Sequence, residues 1–390
     1  MRCSAAIRAI TPPGRLEIGL GGALVVVVVG SLAIGLFGPR VRGQRPSFQP
    51  LRTYVPMTLA LILGFPFLMS LTINFFAGSM TIDPFPPGLV AAVDGLDIEV
   101  DRQQTLALVG ESGCGKSATA LALLGLHPRP PAAEVSGSVV IDGTETVGLD
   151  PAGWRRVRGV GISMVFQEPM TALNPVLSIG DQITEALQAH QPLSRREARR
   201  RALALLDQVA IPDAARRLDD YPHQLSGGQR QRALIAIAIA GSPKVLVADE
   251  PTTALDMTIQ AQILELLMRL RDERGMALIL ITHDLGIVAD MADRVAVMYA
   301  GRKIEDAAPP RLFRAPAHPY TRALLATRAR PGRVDGRRAR LVEIAGGVPA
   351  LHELPPGCAF APRCTEAIPG CRDQQPKLRA AGPGQTAACI

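Results

Sequence analysis

Gly110-Glu111-Ser112-Gly113-Cys114-Gly115-Lys116-Ser117 follows the apolar run Thr105-Leu-Ala-Leu-Val109 and precedes the helix-like Ala118-Thr-Ala-Leu-Ala-Leu-Leu124. That order of strand, turn and helix is the context a phosphate-binding loop requires. The glycines let successive backbone N–H groups turn inward around phosphate oxygens, and the helix offers its positive N-terminal end to the same anion. Lys116 is placed to reach the outer phosphates and the Ser117 hydroxyl to ligate Mg²⁺. Taken alone, a Gly/Ser turn between strand and helix is common; with every fixed position filled, the stretch reads as a nucleotide site.

The 390-residue chain is 47% hydrophobic, enough for a sizeable core and for two domains or one domain with appendages. Its formal charge of +7 is uneven, because residues 311–340 hold nine Arg against one Asp. Aromatics are 4% of the chain, and this basic run carries only Phe313 and Tyr320, so it reads as a solvated or partner-facing surface and not as a nucleic-acid interface. Cys3 and Cys114 stand alone, whereas Cys358, Cys364, Cys371 and Cys389 cluster near the C-terminus. In a cytosolic, nucleotide-dependent protein such a cluster points to metal and not to disulfides.

Residues 1–80 form an apolar N-terminal segment. Ile18 to Pro39 carries no charge and meets the length of a membrane span; Tyr54 to Ile82 is also uncharged but is broken by Pro56, Gly64, Pro66 and Gly78. Arg40, Arg42, Arg45 and Arg52 between them carry the positive charge of a cytoplasmic loop. A single span over 18–39 agrees with a cytosolic nucleotide site, and two spans do not. The competing reading is an over-extended start of the reading frame.

From about residue 81 short apolar runs alternate with amphipathic segments, the pattern of an α/β domain reaching to about 310. Leu89–Val100, Gly137–Ile141 and Val160–Phe166 read as strands, the last ending in Gln167-Glu168-Pro169. Residues 170–235 read as a helical insertion, in which Ser194-Arg-Arg-Glu197 predicts a capping box. Leu225-Ser226-Gly227-Gly228-Gln229 then opens an apolar helix, a second anion-binding end. Lys244–Ala248 delivers Asp249 and Glu250 to a strand tip, and Ala277–Thr282 delivers His283 and Asp284 likewise. In phosphoryl transfer the first carboxylate of such a pair holds Mg²⁺ and the second polarises the attacking water. Singly, each would be an ordinary loop or strand-end residue; the shared register with the phosphate loop raises them together.

Taken in order, the loop at 110–117, Gln167, the signature at 225–229, Asp249-Glu250, Ala254-Leu255-Asp256 and His283 resemble the nucleotide-binding subunit of an ABC transporter. The match runs from about residue 85 to about 305. The resemblance implies a P-loop NTPase core of the RecA-like kind with a helical insertion. Gly110, Ser112, Gly113, Gly115, Lys116, Ser117 and Ala118 would hold ATP. Ser117, Gln167 and Asp249 would hold Mg²⁺, Glu250 would be the general base, and His283 would contact the γ-phosphate. Ser226, Gly228 and Gln229 would belong to the opposite site of a head-to-tail dimer. The family usually places an adenine-stacking aromatic before the loop; Phe85, among Pro84, Pro86 and Pro87, is the candidate. The strand that normally opens such a domain is not evident between residues 70 and 85.

Phe166–Pro175, Tyr221–Arg232, His318–Leu325 and Pro355–Cys364 narrow the resemblance to the ATPases of bacterial oligopeptide and dipeptide importers, with residues 311–390 as their C-terminal extension. It implies a peripheral subunit at the cytoplasmic face of the inner membrane. The partners would be a sister ATPase or a second copy, two membrane permeases and an extracytoplasmic substrate-binding protein, with no nucleic acid. Nickel and some sugar importers share this plan. Rival readings are a soluble ABC ATPase of repair or translation and a nucleotide-gated module without turnover. The C-x5-C-x6-C-x17-C spacing suits Zn²⁺ or an iron–sulfur cluster and lacks paired C-x2-C knuckles. The resemblance favours a structural 4Fe-4S cluster, with zinc second and free thiols third.

Overall fold

The computed structural model describes residues 2–10, 89–127, 133–253, 255–327, 333–334, 337–338 and 343–390. The membrane span expected over 18–39, the weaker apolar stretch 54–82 and the adenine candidate Phe85 lie outside the described residues. Among the described residues no helix is long and apolar enough to cross a membrane.

The strands β1 (Arg2–Ile10), β2 (Leu89–Glu99), β4 (Ala133–Ile141) and β5 (Thr144–Glu145) form an antiparallel sheet in the order β2-β1-β4-β5. Arg2 stands opposite Glu99 on one side and Val140 on the other. The opening strand sought between residues 70 and 85 is therefore at the start of the chain. Residues 2–10, expected to belong to an N-terminal appendage, pair inside the nucleotide domain.

The main sheet holds β3 (Thr105–Val109), β6 (Ile162–Val165), β7 (Val245–Asp249), β8 (Ala277–Ile281), β9 (Arg294–Tyr299), β10 (Arg302–Ala307), β11 (Arg379–Gly382) and β12 (Gln385–Ala387). Its order is β11-β12-β10-β9-β3-β8-β7-β6. The run from β9 to β6 is parallel. Every residue of β3, β7 and β8 is buried, which explains their unbroken apolar sequences: a parallel sheet covered on both faces leaves no solvent side to make polar.

Helix α1 (Lys116–Leu123) follows β3 directly. The helical insertion contains α2 (Ile179–Gln188) and α3 (Arg195–Gln208), each opened by a serine, Ser178 or Ser194, that accepts a backbone N–H of the first turn. The reciprocal arm of the box expected at Ser194 is not made. Glu197 instead turns its carboxylate to Arg200 and Arg201 on the same helix, where charge attraction outcompetes a bond to its own N-cap. Ile183, Leu206 and Val209 of the insertion pack in one cluster with Ile235, on helix α4 (Gly227–Ile239), and with Leu246 of β7. Truncating the fully buried Leu206 to Ala would cost about 2–5 kcal/mol. That shared core fixes where the signature sits relative to the strand tips.

The C-terminal extension completes the sheet edge, because β12 pairs antiparallel with β10 at Glu305↔Ala387. Glu305 is fully buried, and its carboxylate accepts from the backbone N–H groups of Ala317 and His318 and from Gln385 Nε2, at 2.7–2.8 Å. His318 caps helix α5 (Pro319–Ala326), its Nδ1 accepting from the Tyr320 N–H at 3.0 Å; burial, with the charge of Arg322, pushes this imidazole down to about 4. Tyr320, Tyr299 and Phe360 meet ring against ring in tilted and edge-on contacts.

Candidate nucleotide site

The phosphate loop occupies the turn between β3 and α1. Gly115 adopts a φ of 101°, a left-handed value that glycine reaches without strain, and a Cβ there would lie 2.8 Å from the Ala92 carbonyl. β2 thus passes too close for any side chain at this position. Lys116 is buried, and its ammonium donates to the carbonyls of Gly110 at 2.8 Å and Glu111 at 3.0 Å, with Cys114 Sγ at 3.6 Å. Gly110 therefore serves the lysine through its carbonyl. Burial raises the Cys114 thiol above its ordinary range, so it stays protonated beside the lysine, an inert packing residue.

A cavity of about 500 Å³ opens over the loop, lined by Ser112, Gly113, Gly115, Lys116, Ser117 and Ala118. Gln167, Glu250 and His283 close its far side. Gln167 Nε2 donates to Glu250 Oε2 at 3.2 Å, Thr253 Oγ1 donates to the same oxygen at 2.9 Å, and His283 Nδ1 lies 3.3 Å from Oε1. Glu250 holds a left-handed φ of 44°, a conformation costly for a non-glycine residue. Its N–H donates to the Ile281 carbonyl at 2.9 Å, which pins the strained residue between the tips of β7 and β8.

Asp249 lies beside Glu250 with 4% exposure. Burial raises its pKa most, with the neighbouring Glu250 charge adding to it, while a hydrogen bond from Ser117 and the charge of Lys116 oppose the rise. Its Oδ1 is buried without a hydrogen-bond partner. An orphaned carboxylate oxygen next to a serine hydroxyl is the donor set a hard divalent cation takes, so these residues fit Mg²⁺.

Ser226, Gly228 and Gln229 do not line this cavity. They open α4, where Ser226 Oγ accepts from the Gln229 N–H and Gln229 Oε1 accepts from the Ser226 N–H, a complete capping box. A Cβ on Gly228 would stand 2.8 Å from Ile259. Sequence reasoning missed three contributors. Ala92 of β2 and Leu351 of the C-terminal extension also line the nucleotide cavity, and Thr253 braces Glu250; none carries a local pattern that would mark it.

The four clustered cysteines, Cys358, Cys364, Cys371 and Cys389, are free thiols lining one separate cavity of about 110 Å³ with Pro319, Phe360 and Ile368. Among the described residues no group of three or more His, Cys, Asp or Glu side chains is placed to hold a metal ion.

Comparison with known proteins follows the same lines. A family described as ABC transporter matches residues 93–253, and one described as oligopeptide/dipeptide transporter, C-terminal region, matches residues 304–371. A peptide import ATP-binding protein of Brucella abortus is 53% identical over 302 residues, 77% of this chain and 90% of that protein. A peptide ABC transporter ATP-binding protein of Sinorhizobium fredii is 52% identical over 298 residues, 76% of this chain and 88% of its own length. Among solved structures, a dimeric bacterial ABC transporter cassette matches with a TM-score of 0.51 and 29% identity, over 58% of this chain and 94% of that one. A dimeric cassette in a post-hydrolysis state with ADP and Pi gives 0.50 and 29%, over 57% and 92%.

The Asp249 geometry generates a direct test. In Asp249→Ala, calorimetric titration is expected to show Mg²⁺ tightening ADP binding at least about tenfold less than in the wild type, with Mg²⁺-free binding little changed. Unaltered tightening by Mg²⁺ would show that the buried oxygen is not waiting for the ion.

Proposed function

We propose, for a chain that belongs to the ABC transporter family and within it to the peptide-import ATP-binding proteins, a division of labour among the residues of its nucleotide site. The protein is an ATPase that powers peptide import, working peripherally at the cytoplasmic face of the inner membrane. The observation that carries the reading is the convergence of Gln167, Thr253 and His283 on the Glu250 carboxylate across the cavity from Lys116.

In this reading Gly113, Gly115 and the N-terminus of α1 cradle the phosphates, and Lys116 turns from the loop carbonyls to the outer phosphate oxygens. Asp249 and Ser117 would hold Mg²⁺, with Gln167 facing it, and the ion when bound neutralises charge on the phosphate oxygens. Glu250 accepts a proton from water as that water attacks the γ-phosphorus; the bond to the ADP oxygen breaks and inorganic phosphate leaves. His283 contacts the γ-phosphate. Ser226, Gly228 and Gln229 complete the site of the opposing subunit, a sister ATPase or a second copy, which is why they stand outside the cavity of their own chain.

The permease surface is the groove of about 490 Å³ between the main sheet and the helical insertion, lined by Met164, Phe166, Ala172, Leu177, Leu234 and Ile237. Phe166 remains 37% exposed at its mouth, next to Gln167, so a helix seated there would move the residue that touches Glu250. Two permeases and an external binding protein complete the assembly. The four thiols suit a structural 4Fe-4S cluster. Burial first, then the charge of neighbouring cysteines, pushes Cys358 and Cys389 up, so thiolates here need a cationic group between them.

ATP turnover by the chain reconstituted with sister ATPase, permeases and binding protein is expected to rise when the binding protein carries peptide. A rise with nickel alone would change the substrate, and substantial turnover by the isolated chain with no response to any load would replace the importer reading with a soluble ATPase. Anaerobically purified protein is expected to contain iron and acid-labile sulfide in equal amounts, both lost in Cys371→Ser; zinc without iron or sulfide would contradict the cluster.

A further inference from the structure

The second residue of the phosphate loop is held from the far end of the chain. Glu111 receives a two-pronged pair from Arg363, Nη1 to Oε2 at 2.7 Å and Nη2 to Oε1 at 3.0 Å. The Glu111 N–H donates to Tyr320 Oη at 2.9 Å. The Arg363 side chain is 5% exposed, and its guanidinium lies 5.8 Å and 6.0 Å from the ring centres of Tyr299 and Phe360. Nη1 also donates to Tyr299 Oη at 3.3 Å, while Nε donates to the Ala345 carbonyl at 2.9 Å and Nη2 to that of Ile344 at 3.2 Å. Those carbonyls begin the segment that brings Leu351 into the wall of the nucleotide cavity.

We propose that the C-terminal extension is a working part of the ATP site, with Arg363 and Tyr320 as positioning residues for the phosphate loop; the proposal rests on the ATPase reading above. The physical need is electrostatic. A carboxylate within the loop that must accept a triphosphate opposes the ligand, and in a partly desolvated wall that repulsion is weakly screened. Arg363 cancels it, and the bidentate geometry fixes the carboxylate away from the phosphates. Tyr320 takes the one loop N–H that follows Gly110, which sets the turn so that the later N–H groups face the cavity. A contact serving only to fasten the extension would not require an acid inside the phosphate loop.

Charge cancellation predicts opposite signs for the two partners. By calorimetric titration of the full chain with Mg²⁺–ADP, Arg363→Met is expected to weaken binding about tenfold and Glu111→Gln to tighten it about threefold, with the double variant near wild type. Arg363→Lys, which keeps the charge, should stay within about threefold, and Tyr320→Phe should weaken binding about threefold. In turnover, Arg363→Met should raise KM for ATP while leaving kcat largely intact. If Arg363 merely braces the extension, Glu111→Gln weakens binding as well and the double variant is no tighter than Arg363→Met; that result overturns the proposal. A wild-type chain that binds nucleotide with these variant effects but never turns over ATP would refute the ATPase reading and leave this inference standing.

Discussion

Taking an ammonium out of water is costly, and the buried Lys116 ammonium has two carbonyls and a thiol, with no carboxylate, as its hydrogen-bond partners. Backbone oxygens of the loop face Lys116, and the glycine at 115 lets β2 pass within touching distance of the same turn. Around that charge the rest of the domain is arranged. β3 carries the loop, β7 brings Asp249 and Glu250, and β8 leads into His283, three strands buried along their whole length so that their tips cannot drift. Catalysis by such a site is mainly positioning and charge stabilisation, which a rigid parallel sheet supplies.

The phosphate chemistry was legible because its constraints are local. A turn that must point N–H groups at an anion demands glycines at fixed offsets, and a strand tip that must present acids ends in Asp249-Glu250. Pairings across long separations left no such mark. β1 precedes its neighbour β2 by the whole of residues 11–88, and Arg-Cys-Ser-Ala-Ala-Ile-Arg-Ala-Ile has no clean alternation to announce a strand that is paired on both sides. The Arg363–Glu111 pair spans 252 positions and could be seen only once the extension was folded. At Ser194 the local rule itself was outcompeted, since Glu197 had two arginines within reach.

The extension beyond residue 311, which sequence composition presents as a basic appendage, joins the main sheet through β12 and buries Glu305 against its own backbone. Its Tyr320 and Phe360, packed with Tyr299 of β9, lie between the four-cysteine cavity and the phosphate loop. Importer-specific sequence and nucleotide site are thus physically continuous. The groove that includes Phe166 lies next in sequence to Gln167, whose side-chain amide donates to Glu250.

The proposed mechanism makes Glu250 the proton acceptor at a site completed by a second signature helix. Light scattering of Glu250→Gln with Mg²⁺–ATP, the sister subunit present, measures this most directly, with released phosphate followed in the same sample. ATP-dependent association that persists while phosphate release is abolished is the result expected. Phosphate release at the wild-type rate, or no ATP-dependent association in variant and wild type alike, would contradict it.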